Sequence, residues 1–183
     1  MKAKQAKQTG KLLAFAGALL ALVAVIMIFL PQIAAASENS DTTYNGLAIA
    51  FGKTLSEGSL FGASAKTVIN FSFMNLLTYI LVLAGLVISI LQAVGICQNK
   101  LLTIISAIAL VAGGILFFFP LEFSTVTSSG SIGSISSTTE AVKFSAYNTD
   151  NVTVWKIGYG AIVGGITAIV AGVCNLGKAV IGK

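Results

Sequence analysis

Four stretches of the chain carry almost no polar positions, and the segments between them alternate weakly. The unbroken runs are Leu12–Leu30, Phe73–Ile96, Leu101–Phe119 and Ile157–Gly177. The second is interrupted only by Asn75, Thr78, Ser89 and Gln92, and the third is closed by Pro120. A helix rises about 1.5 Å per residue, so about 20 apolar residues cross a hydrocarbon core of about 30 Å. Each run therefore predicts a membrane-spanning helix, at 12–30, 73–96, 101–119 and 157–177. A basic tail (1–11), a tight turn (97–100) and a second tail (178–183) complete one side. The expected fold is an all-α integral membrane protein: one four-helix transmembrane bundle with a small extracellular β-containing cap.

The cap is predicted from the two long connections, 31–72 and 120–156. In the first, Thr42-Thr43-Tyr44 and Leu47-Ala48-Ile49-Ala50-Phe51 flank Asn45-Gly46, a hairpin signal because both residues tolerate positive φ. In the second, the Ser/Thr/Gly-rich stretch 124–139 reads as flexible or as a weakly specified strand pair. Val142, Phe144 and Ala146 then alternate with polar residues, Asn148–Asn151 reads as a turn, and Val152–Trp155 as a short strand. A lone hairpin is marginal in water, so strands from both connections are expected to pair.

Composition agrees with the helices and narrows the function. Of 183 residues, 56% are hydrophobic and 9% charged, and mean hydropathy is +0.93. All 11 basic residues are Lys, which suggests an AT-rich, bacterial coding sequence. Lys2, Lys4, Lys7, Lys11, Lys100, Lys178 and Lys183 fall on one side of the predicted topology with no acid. The other side mixes four lysines with all six acids. Lysine-rich connections stay in the cytoplasm, so both termini are expected inside a plasma membrane and both long connections outside. The net charge of +5 is then a topology signal, and no nucleic-acid partner is expected. Ala34-Ala35-Ala36 resembles a leader cleavage site, but the 19-residue run before it exceeds the usual h-region of about 7 to 15, so a retained helix is expected.

Chemistry is sparse. There is no His, and Cys97 and Cys174 both fall on the reducing side. No charge lies inside a predicted span, where proton relays and ion paths need one. No catalytic residue, cofactor, metal or small-molecule substrate is expected. Small residues at helical spacing mark packing faces instead: Gly160, Gly164, Ala168 and Gly172 on the last helix, and Gly85, Ser89 and Ala93 on the second. Trp155 and Tyr159 are expected as interfacial anchors. The order of spans and loops resembles the claudin layout in topology alone. Residues 32–72 contain neither the Trp nor the Cys pair that claudins carry there.

The expected function is that of a non-enzymatic interaction, scaffold or accessory subunit of a cell-envelope assembly. It would contact like subunits or a membrane-protein partner. The alternative is an oligomeric channel or pore-forming subunit. Reporter fusions test the topology: an enzyme active only outside the cell is expected to work at residues 62 and 140 and to fail at 98 and 183.

Overall fold

In the computed structural model the chain is described over residues 2–35, 42–60, 63–96, 98–146 and 155–181. Four long helices carry two antiparallel sheets at one end. The helices are α1 (Lys2–Met27), α3 (Phe73–Val94), α4 (Lys100–Leu116) and α6 (Tyr159–Ile181). Two short ones, α2 (Gly46–Phe51) and α5 (Pro120–Phe123), lie among the strands. The first sheet has the order β2-β1-β8, from β1 (Pro31–Ala35), β2 (Thr43–Asn45) and β8 (Trp155–Ile157). The second has the order β3-β4-β5-β6, from β3 (Lys53–Leu60), β4 (Ala63–Ile69), β5 (Thr125–Ile132) and β6 (Ile135–Thr138). Strand β7 (Val142–Lys143) also pairs with β5.

The expected all-α class is therefore wrong. The chain is mixed, 61% helical and 25% strand. The physical reason lies in the connections. Their Ser, Thr, Val and Ile residues suit a pleated, half-buried surface, and their backbone groups must be paired once they leave water. Neither connection satisfies itself. Strand β4 from the first pairs with β5 from the second, and β1 pairs with β8. Three helices are long and apolar enough to cross a membrane: α1 over Gln8–Met27, α3 and α6. Helix α4 has 17 residues and is prolonged by a tight turn over Phe117–Phe119 before Pro120.

The four long helices form a ring: α6 packs on α1 and α4, and α3 packs on the same two from the other side. One cluster, including Ala21, Ala24, Val82, Leu86, Leu110, Phe117 and Ala168, fills the bundle. A second, of Ile33, Tyr44, Ile49, Ile69, Val126 and Phe144, joins the two sheets to α2.

The Asn45-Gly46 pair does not make a hairpin. Asn45 has φ −78° and ψ 169°, and its side chain accepts from Ala48 N at 2.9 Å as the N-cap of α2. Asn serves both roles, and Gly46 is packed so closely on Ile28 that an added Cβ would stand 2.5 Å from Ile28 O. Gly52, at φ +87°, ends the helix and turns the chain into β3. The Ser/Thr/Gly stretch is an ordered hairpin, β5–β6, turning on Gly133 at φ +60°. Phe144–Ala146 forms a 3-10 turn. Cys97, Ala36, the expected turn at 148–151 and the expected strand residues 152–154 lie outside the described residues. Asn45→Ala is expected to cost about 1 kcal/mol of stability, and Asn45→Ser to restore most of it, in equilibrium unfolding. A hairpin turn would be weakened by both substitutions, because its first central residue needs positive φ, so the rescue by Ser distinguishes the cap.

Candidate interaction surface

The glycine and alanine faces of the helices are used inside the molecule. On α6, a Cβ at Gly160 would lie 2.7 Å from Pro31 O, at Gly164 3.0 Å from Phe117, and at Gly172 2.6 Å from Val111. Ala168 is fully buried. On α3, a Cβ at Gly85 would meet Leu110 Cγ at 2.5 Å. Ala93 differs: it lines a shallow apolar groove with Phe15, Leu19 and Ile90 between α1 and α3.

Ser89 belongs to a closed polar cluster. Asn175 Nδ2 donates to Ser89 Oγ at 2.7 Å and to Ser106 Oγ at 2.9 Å. Both hydroxyls donate to Gly85 O, at 2.7 and 3.0 Å. Asn175 Oδ1 faces Gly17 of α1, where a Cβ would stand 2.7 Å away. One turn further from the sheets, Lys178 Nζ donates to Gln92 Oε1 at 3.3 Å, and Thr103 is buried. The bundle thus holds a buried polar cluster beside its apolar core, and its outside is apolar as well. Leu12, Phe15, Ile80, Leu83, Ile108, Ile166 and Val173 are among its many exposed large side chains. Thr167 bonds its own helix, through Val163 O at 2.8 Å.

Where the helices meet the sheets, Phe29, Phe51, Phe71, Phe73, Phe119 and Tyr159 are all exposed, forming an aromatic collar. Trp155 is not part of it. Its ring packs in the sheet core, 4.9 Å from Phe144 and 5.5 Å from Tyr44 between centroids. Sequence reasoning missed the collar, although each Phe stands visibly at the end of an apolar run or short helix.

The sheet β3-β4-β5-β6 leaves the bundle at the far side of this collar. Residues directly opposite in a ladder share a face. The register therefore puts Ile69, Thr67, Ala65 and Ala63 of β4 with Val126, Ser128, Gly130 and Ile132 of β5, Lys53, Ser56 and Gly58 of β3, and Ile135 and Ser137 of β6. At its base this face is buried through Ile69 and Val126, with the exposed Lys53 at its β3 edge. Beyond Thr67 and Ser128 no described residue covers it and it carries no charge. It bounds a hollow of about 690 Å³. Ile132 and Ile135 stand 73% and 75% exposed at the hollow's rim.

The opposite face is polar beyond Val68, which pairs with Thr54 and Thr127. Glu57, Lys66, Ser129 and Thr138 form one row, with Lys66 Nζ 3.6 Å from Glu57. Ser59, Ser64, Ser131 and Ser136 form the next, with the Ser64 and Ser131 hydroxyls 2.7 Å apart.

At the foot of the sheet, Lys143 Nζ donates to Glu122 at 3.0 Å. That hydrogen bond, with help from Ser145, holds the exposed Glu122 carboxyl below its ordinary range. Asn70 Nδ2 donates to the Thr125 and Thr127 hydroxyls, which ties the end of β4 to β5. Among the described residues no group of three metal-ligating side chains occurs. No known protein family, characterised protein or solved structure matches the chain.

A double-mutant cycle tests the closed cluster. Asn175→Leu leaves two buried hydroxyls without donors and is expected to cost about 1 to 2 kcal/mol. Combined with Ser106→Ala it should cost less than the sum of the two single changes, measured by unfolding in mixed micelles. Strict additivity would show that the three side chains do not act together.

Proposed function

We propose that this is a non-enzymatic integral membrane protein whose sheet domain, outside the cytoplasmic membrane, is a docking platform for a protein assembly. The membrane reading draws support from the outside of the bundle. Its many exposed large apolar side chains, with buried polar groups bonded between helices, suit lipid and not water. The dimensions agree with it. The stretches from Lys11 to Phe29, Lys100 to Phe119 and Lys178 to Tyr159 each cover about 28 Å at a helical rise of about 1.5 Å, close to the roughly 30 Å of hydrocarbon. Each has a lysine at one end and an exposed aromatic at the other.

The observation that carries the docking reading is the two-faced sheet. One face continues the protein's own core into a part, beyond Thr67 and Ser128, that carries no charge, and the other is a largely polar surface suited to water. The sheet edges are less suited to docking. Strand β3 carries Lys53, Glu57 and an irregular register at Thr54–Ser56, and β6 is four residues long. These features discourage edge pairing. A pore through one protomer has little behind it, since Val82, Leu86, Leu110 and Phe117 fill the middle of the bundle.

Purification from the native host in mild detergent, with particle mass and partner identification, tests this reading. The wild-type chain is expected in a complex. Ala65→Lys, on the apolar face, should abolish that complex, and Lys66→Ala, on the polar face, should leave it intact. A wild-type monomer of about 19 kDa, or equal behaviour of the two variants, would overturn the proposal.

A further inference from the structure

We propose that the uncharged face of the β3-β4-β5-β6 sheet binds the same face of a second copy of this chain, anchored in the same membrane. The inference rests on the membrane and docking readings above and names the partner they leave open.

The relief of the face argues for a copy. A Cβ at Gly58 would meet nothing within 4 Å, and one at Gly130 would only touch Ser64 O at 3.6 Å. Gly58, Ala65 and Gly130 thus form a floor with no side chain above Cβ. Ile132 and Ile135 rise beside that floor on the same face. A surface holding both the hollow and the projections that fill it complements itself across a two-fold axis. Sheets pack face to face about 10 Å apart by such interdigitation. No charge on the uncovered part of this face has to be desolvated when the copies meet.

The area argues for an anchored partner. Four strands about 4.8 Å apart and about five residues deep give a footprint on the order of 300 Å² per copy. A stable interface between freely diffusing proteins needs about 800 Å² on each side. A contact this small holds when both partners share a membrane, because anchoring raises their effective concentration. A second copy brings that anchor with it.

Cysteine cross-linking tests the proposal. In a chain carrying Cys97→Ser and Cys174→Ser, single cysteines are placed at Ala65 or Gly130 on the apolar face, and at Lys66 or Ser129 on the polar face. The full-length proteins are reconstituted in phospholipid vesicles at low density and oxidised. Disulfide-linked dimer should form several-fold more at Ala65→Cys and Gly130→Cys than at the polar-face positions. Adding Ile132→Lys and Ile135→Lys should bring it down to the polar-face level. Both isoleucines are exposed, so this variant keeps its fold, checked by unchanged trypsin resistance of the bundle. Equal cross-linking on both faces, none on the apolar face, or indifference to the two lysines would overturn the second copy. A photoreactive residue at Gly130 in native membranes separates the two levels of failure. Capture of a different protein there overturns the second copy and leaves the docking reading standing; capture of nothing overturns both.

Discussion

The close approach of α6 to its neighbours is the constraint on which the rest of the molecule depends. On the membrane reading proposed above, apolar side chains gain little by leaving lipid for one another, so the helices are held by contact and by hydrogen bonds. Gly160, Gly164 and Gly172 let α6 lie against the backbone of β1, the end of α1 and the side of α4. Asn175 then fixes the rotation of α6, because its amide reaches two helices at once and its oxygen fits only against a glycine on the third. The approach also places Gly158 beside Pro31, where its N–H donates to Gln32 O at 2.7 Å. The inter-sheet core is assembled from that point outward.

The two sheets meet this constraint in different ways. The β2-β1-β8 sheet is a clamp. Its central strand continues directly from α1 and its edge strand leads into α6, so it ties together the two helices that pack most closely. The β3-β4-β5-β6 sheet is tied at one end only. Asn70, Ser72 and Asn75 bond to Thr125, Phe123 O and Ser124, joining the start of α3 to the foot of β5. Beyond that joint nothing covers it, and its faces diverge in chemistry as a free-standing two-sided surface would.

Much of the helical part was legible in the sequence, because an apolar run of about 20 residues has few other readings. The glycine spacing of α6 was legible for the same reason. The strands were harder. Residues 124–139 owe their order to pairing with β4 and β7, which no local pattern announces, and their Ser and Thr residues hide the alternation of Val126, Gly130 and Ile132. Asn45-Gly46 misled because the same two residues serve a hairpin turn and a helix cap, and only the crowding against Ile28 decides between them. Trp155 misled because an aromatic residue next to a span fits an interface, whereas here it fills a core with Tyr44 and Phe144. The Asn175 cluster was not foreseen, since its members come from three separate runs.

The pairing of β1 with β8 has a consequence for biogenesis. About two thirds of the chain separates these two strands, and β4 likewise waits for β5. A ribosome delivering this protein releases the first helices and the first long connection well before their partners exist. The β3-β4-β5-β6 sheet can close only once β6 has been made, at residue 138, and the β2-β1-β8 sheet only once β8 has been made, at residue 157. Until then β1 and β4 are paired on one side alone, with β2 and β3, and each leaves its other edge open. A nascent chain arrested before residue 125 would expose both open edges to mispairing with another copy.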